Sequence, residues 1–182
     1  MRSAVGFGLV CATVVALAAC KSAEQKCAEA RGTANAAWDG AISFANDGVT
    51  RAKAVRSKAE LTITREIEPR ISNAAMAAAA AQYDRNTDAF QRAYVAAQSA
   101  LCLADKQCTQ VKHEDAEARD QQHDLEALLA SIRGVLDAMP RDPALAKQLS
   151  DAIVVDENVL LDTAKKQTVA MFNVCKDVAP AH

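Results

Sequence analysis

Apolar side chains recur at intervals of three and four along almost the whole stretch from Ala23 to Lys176, and no alternation of period two persists anywhere in it. A helix face returns every 3.6 residues and a strand face every second one, so this pattern selects helices and leaves no segment for a sheet. Chain breakers are scarce, with six glycines and four prolines among 182 residues. Alanine is abundant, and it loses no side-chain entropy in a helix. The chain therefore reads as all-α, with long helices in close contact.

Four stretches carry the pattern. The first runs from about Ala23 to Glu66, with Cys27, Ala30, Ala34, Ala37, Ala41 and Phe44 on a line that drifts to Val49, Ala52, Ala59 and Ile63. Asn46-Asp47-Gly48 sits at the drift and is a candidate break. Pro69 should end the stretch, because proline disfavours helix at the residue before it. The second runs from about Arg70 to Ala104 and has the cleanest periodicity: Met76, Tyr83, Phe90, Ala97 and Leu101, with Thr87 and Tyr94 in the second heptad position. Its run Ala77 to Ala81 reads as a close helix contact. The third, from about Thr109 to Met139, is polar before Leu125 and then presents Leu125, Leu128, Leu129, Ile132, Val135, Leu136 and Met139. Pro140-Arg141-Asp142-Pro143 is a turn, with Asp142 a good N-cap and Pro143 suited to the first helical position. The fourth runs from Ala144 to about Lys176 through Leu145, Leu149, Ile153, Leu160, Met171 and Val174, and Pro180 lies beyond it. Four long helices with short connections predict an antiparallel up-down bundle. At 1.5 Å per residue the first would reach roughly 66 Å and the third about 45 Å, so the first either projects or breaks near Gly48.

The amino terminus follows a different logic. Arg2 is its only charged side chain before an apolar run from Ala4 to Ala19, which is shorter than the roughly 20 apolar residues that span a bilayer. A positive start, an apolar middle and a small-residue end make a secretory signal. The run closes on Leu17-Ala18-Ala19-Cys20, which resembles the lipobox of bacterial lipoproteins. That resemblance implies cleavage before Cys20, acylation of its thiol and anchoring of the mature chain on a membrane. Residues 1–19 would be the signal peptide and 20–182 a single helical domain. Lys21 follows the lipid site in place of the Asp that tends to retain such proteins in the inner membrane of enteric-type bacteria. The resemblance therefore implies an outer-membrane position facing the periplasm if the organism is Gram-negative.

Of six cysteines, Cys11 leaves with the signal and Cys20 takes the lipid. Cys27, Cys102, Cys108 and Cys175 remain, an even number in an exported chain, which predicts disulfides. In an up-down bundle these four fall at helix ends on one side, the side carrying the lipid, provided the first helix is unbroken. Two pairings fit. Cys102–Cys108 would pin the second connection, and Cys27–Cys175 would close a long loop worth about 5 kcal/mol, against roughly 2.4 kcal/mol for the short one. The alternative joins Cys27 to Cys102 and Cys108 to Cys175. No C-x-x-C spacing points to metal or redox use.

Acidic residues (23) slightly outnumber basic ones (21), and aromatics make up 4% of the chain, so neither a basic face nor a stacking platform for nucleic acid is expected. No phosphate loop, nucleophile elbow, haem attachment or paired-histidine zinc motif is present. The one cluster with ligand chemistry is His113, Glu117, Asp120 and Asp124, which share a helix face by spacings of four, three and four and could hold a divalent metal. That face lies well away from the apolar stripe and should be a solvated one. No cofactor is expected. The reading is a membrane-anchored envelope lipoprotein that is no enzyme and has a structural or protein-interaction role with an envelope protein partner; the alternative is a metal- or small-ligand-binding helical bundle in the periplasm.

Overall fold

The computed structural model describes residues 21–80 and 87–178. Cys20, the apolar run before it, Tyr83 and Ala81 lie outside these residues. Every regular element among them is helical: α1 (Ala23–Thr62), a π-helical segment (Ile63–Ile67), α2 (Glu68–Ala79), α3 (Thr87–Ala104), α4 (Lys106–Ala138), α5 (Pro143–Ala152) and α6 (Val159–Cys175). The chain is an all-α, disulfide-linked helical bundle. Its described residues form two compact units, one made of those up to Ser43 with those from Ala130 on, the other Phe44–Leu129.

Helix α1 starts at a reciprocal cap. The Gln25 amide N–H donates to Ser22 Oγ at 3.2 Å, and the Ser22 N–H donates to Gln25 Oε1 at 3.1 Å. Two otherwise orphaned donors are thereby satisfied. The helix then runs without interruption past Gly48. Gly48 marks a close approach instead of a break: a Cβ built there would lie 2.6 Å from Leu125 Cδ1 of α4.

Pro69 does not stop the helix either, which corrects the boundary expected there. Proline lacks an N–H and its ring strikes the carbonyl four residues back. The preceding turn widens to accommodate this, and the Glu68 N–H bonds Ile63 O, five residues back. Pro69 then occupies the first turn of α2. The wide turn takes up about one extra residue. Buried positions on α1 include Ala45, Ala52 and Ala59, seven apart, so the next would fall on Glu66; Ile67 is buried instead, followed by Ile71, Ala75 and Ala79. The expected second helix is thus two elements, α2 and α3, that pack on each other. On the line through Met76, Met76 itself is exposed, while Phe90, Ala97 and Leu101 are half-buried and Leu101 packs against the cluster of Ile67, Ile71, Cys102 and Cys108. Of the alanine run, Ala79 is buried while Ala77, Ala78 and Ala80 face outward.

The expected fourth helix is also two. Asp142 caps α5 by accepting from the Ala144 and Leu145 amides, both at 3.0 Å, with Pro143 in the first turn as expected. The helix ends at Ala152, and Asn158 caps α6 by accepting from Leu160 and Leu161. Asp and Asn compete for backbone amides through their own side chains, which favours caps and turns over helix interior at Asp156-Glu157-Asn158. The split shifts the buried face. Leu145, Leu160 and Val174 are exposed, while Ala146, Ser150, Ile153, Leu161, Ala164, Thr168 and Met171 are buried.

The core of the unit containing both termini is the better filled of the two in side-chain size. Trp38, Ile132, Val135, Met139 and Met171 are all buried there. Trp38 is fully buried, and its indole N–H donates to Thr168 Oγ1 at 2.8 Å; that hydroxyl donates to Ala164 O at 2.9 Å. Cys27 and Cys175 form a disulfide with a Cα–Cα distance of 4.9 Å. In the other unit alanines dominate α1's buried face, and Ile67, Ile71, Cys102 and Cys108 cluster, with Ile63, Leu101 and Val111 against them. Cys102 and Cys108 are bonded, with a Cα–Cα distance of 5.3 Å. The bridges follow the first of the two pairings and belong to different units. The expected up-down arrangement has a reversal at Pro69, and helical structure continues past it.

Candidate functional site

The π-helical segment borders two concave surfaces of the unit Phe44–Leu129. On one flank is an open groove of about 680 Å³ between α1 and α4, lined by Lys53, Arg56, Glu60, Asp115 and Arg119, with Ile63, Thr64 and Glu68 at the π segment. Arg56 Nε lies 3.5 Å from Asp115 Oδ1, Arg119 donates to Asp115 Oδ2 at 2.8 Å, and Arg56 also donates to Gln122 Oε1 at 2.9 Å. Asp115 thus holds the guanidinium groups of Arg56 on α1 and Arg119 on α4. On the other flank is a cleft of about 230 Å³ with Ile63, Ile67, Ile71, Val95 and the Cys102–Cys108 bridge among its lining. Gln98, Ser99, Glu68 and Lys112 supply its polar groups.

The groove's three cations, Lys53, Arg56 and Arg119, face three carboxylates, Glu60, Glu68 and Asp115, so it presents no net charge to a ligand. Ser57 and Thr64 supply its hydroxyls, and Thr64 Oγ1 donates to Glu60 O at 2.9 Å.

The metal candidates sit on the outer face of α4. His113 Nδ1 lies 3.3 Å from Glu117 Oε2, with both side chains 70% exposed. Asp120 and Asp124 are exposed, and Asp124 lies 3.8 Å from His123. Among the described residues no group of three or more His, Cys, Asp and Glu side chains converges as a metal site would require. The structure joins His113 to Glu117 and leaves the other two apart from them. Cys20 lies outside the described residues. Cys27, Cys102, Cys108 and Cys175 are bridge cysteines, which removes them from thiol chemistry in this state.

Three features escaped the sequence pattern. The π segment had a signal in Ile63, Ile67 and Ile71, whose strict spacing of four departs from the heptad before it. The Trp38–Thr168 bond had none, because it joins residues 130 apart in sequence. The reversal at 153–158 was signalled by Asp156-Glu157-Asn158.

Comparison of the chain with protein-family models, with curated proteins and with solved structures gives no match.

Proposed function

We propose that this chain is an envelope lipoprotein, held on a membrane by an acyl chain on Cys20, whose helical body binds a protein partner and performs no catalysis. The observation that carries the reading is the use of cysteine. The four after Cys20 pair with one another, as suits a chain that matures in an oxidising compartment. Cys20 ends the signal-like run and is left for the lipid. Among the described residues no helix is long and apolar enough to cross a membrane, so in this reading attachment depends on acylation. Each buried methylene contributes about 0.8 kcal/mol, and several chains hold firmly. Helix α1 is capped at Ser22, and Lys21 is paired to Glu29 at 2.6 Å. Folded structure therefore begins immediately after the anchor. An outer-membrane position facing the periplasm follows from Lys21 in a Gram-negative host.

The test is metabolic labelling with an alkyne analogue of palmitate in bacteria expressing the full chain or its Cys20→Ser variant. Label on the first, none on the second, and release of the second from the membrane fraction is the expected result. A Cys20→Ser protein that is still labelled and still sediments with membranes would overturn the proposal.

A further inference from the structure

The reversal between α5 and α6 exposes large apolar side chains that a soluble surface loop does not need. Val154 is 74% exposed and Val159 75%, with Leu160 at 43% beside them. Isolated exposed valines are ordinary; exposed apolar side chains gathered at one reversal, Val154 in the connection and Val159 and Leu160 in the first turn of α6, are the pattern of a contact surface. The rigidity of the reversal has three sources. Lys165 donates to Ile153 O at 2.7 Å and Asp151 O at 3.2 Å, tying down the carbonyl end of α5. Asn158 caps α6. Glu157 at the tip has φ of 53°, a left-handed conformation that costs a side-chain-bearing residue and is retained only where the surroundings enforce it. A loop already fixed in shape loses little entropy on binding.

The loop also carries unmatched charge. Lys147 pairs with Asp151 and Lys166 with Asp162, both at 2.6 Å, and Lys165 is committed to carbonyls. Asp156 and Glu157 have no side-chain partner among the described residues. The surface is therefore apolar with an acidic rim. Its place in the unit matters as well. The 17 residues of α6 put about 25 Å between this loop and Cys175, which is bonded to Cys27 near the lipid end of the chain.

The geometry points to the loop 153–160 as the docking surface of this unit for an envelope protein that presents an apolar hollow flanked by lysine or arginine. The inference rests on the proposed anchoring and names the partner's chemistry. An acidic rim at a distance from the anchor disfavours the anionic membrane surface and selects a basic protein face, because opposite potentials steer encounter and like ones repel.

Photocrosslinking in cells tests it. Benzoylphenylalanine is placed at Val154, at Val159, and at exposed Asn173 of α6 as a control, each in the full chain carrying palmitate label. The expected result is one protein captured from both loop positions and not from Asn173, with the crosslinked peptide of that protein rich in Lys or Arg beside apolar residues. Combining Asp156→Lys with Glu157→Lys should lower the yield at least about tenfold, while protein mass and far-UV circular dichroism show both bridges and the helices intact. Adducts to lipid or to a second copy of the chain, equal capture at Asn173, no adduct at either valine, or a yield unmoved by the charge reversal would each overturn the docking inference. The label separates the two readings: a labelled chain without loop adducts sinks the docking surface alone, whereas an unlabelled chain that still captures the basic partner sinks the anchor alone.

Discussion

At the scale of single residues, the Trp38–Thr168 bond is the polar contact on which the core of the terminal unit most depends, since both residues are fully buried. Replacing Thr168 with Val keeps the volume and orphans the indole N–H. An unsatisfied buried donor costs about 1–3 kcal/mol, so Thr168→Val should lower stability by about 2 kcal/mol in urea unfolding. Thr168→Ser, which keeps the hydroxyl, should lose less. Trp38 is the only tryptophan in the chain, so its fluorescence follows that unit directly. Glycines give a second contrast. A Cβ at Gly32 meets nothing within 4 Å, while one at Gly48 lies 2.6 Å from Leu125 Cδ1. Gly32→Ala should raise stability by roughly 0.5–1 kcal/mol through helix propensity alone. At Gly48 the same gain is offset by the roughly 0.5–1.5 kcal/mol needed to turn a leucine aside. Gly48→Ala should thus be near neutral, and the larger Gly48→Val destabilising by about 1–3 kcal/mol. Thermal denaturation of the three variants checks the order.

At the scale of elements, the π segment decides which faces meet. It lets helix continue through Pro69 and moves the buried position from Glu66 to Ile67. Deleting Thr64, an exposed residue within it, removes the one residue that the wide turn absorbs and puts Ile67 on the heptad position after Ala59, so the Ala52–Ala59 and Ile67–Ile71 faces stay in register. What the deletion takes away is the widened turn that accommodates the Pro69 ring, so it should cost about 3 kcal/mol, as proline does in an ordinary helix interior. Substituting Thr64→Ala, which keeps the wide turn, should change stability by less than about 0.5 kcal/mol. Guanidinium titration of both variants distinguishes loss of the wide turn from side-chain loss. Similar logic applies to α5 and α6, where two caps and the Lys165 clamp produce two short helices from what reads as one long pattern.

For the whole molecule, two bridges of unequal span set the response to reduction. The chain-entropy estimate is about 5 kcal/mol for Cys27–Cys175, separated by 148 residues, and roughly 2.4 kcal/mol for Cys102–Cys108, separated by six. Replacing both cysteines of the first pair with alanine should therefore lower the urea midpoint about twice as far as replacing both of the second. Equal shifts would show that the short bridge acts through packing on Ile67 and Ile71 in addition to loop closure.

Helix content, the cap at Asp142 and the use of Cys27, Cys102, Cys108 and Cys175 in disulfides were legible in the chain because each depends on local spacing or composition, whereas the choice between two pairings came from the structure. The lipid site at Cys20 was legible in the same way and remains a proposal. The sequence alone also placed His113, Glu117, Asp120 and Asp124 on a solvated face. It misplaced the breaks. Glycine and proline announce breaks by propensity, yet Gly48 is used for close approach and Pro69 is absorbed by a widened turn, because burying Ile67 and Ile71 outweighs a local preference worth a few kcal/mol. The groove beside Asp115, the Trp38–Thr168 bond and the exposed loop at Val154 and Val159 exist only once distant segments meet. They were decided by tertiary packing, which no period of three or four encodes.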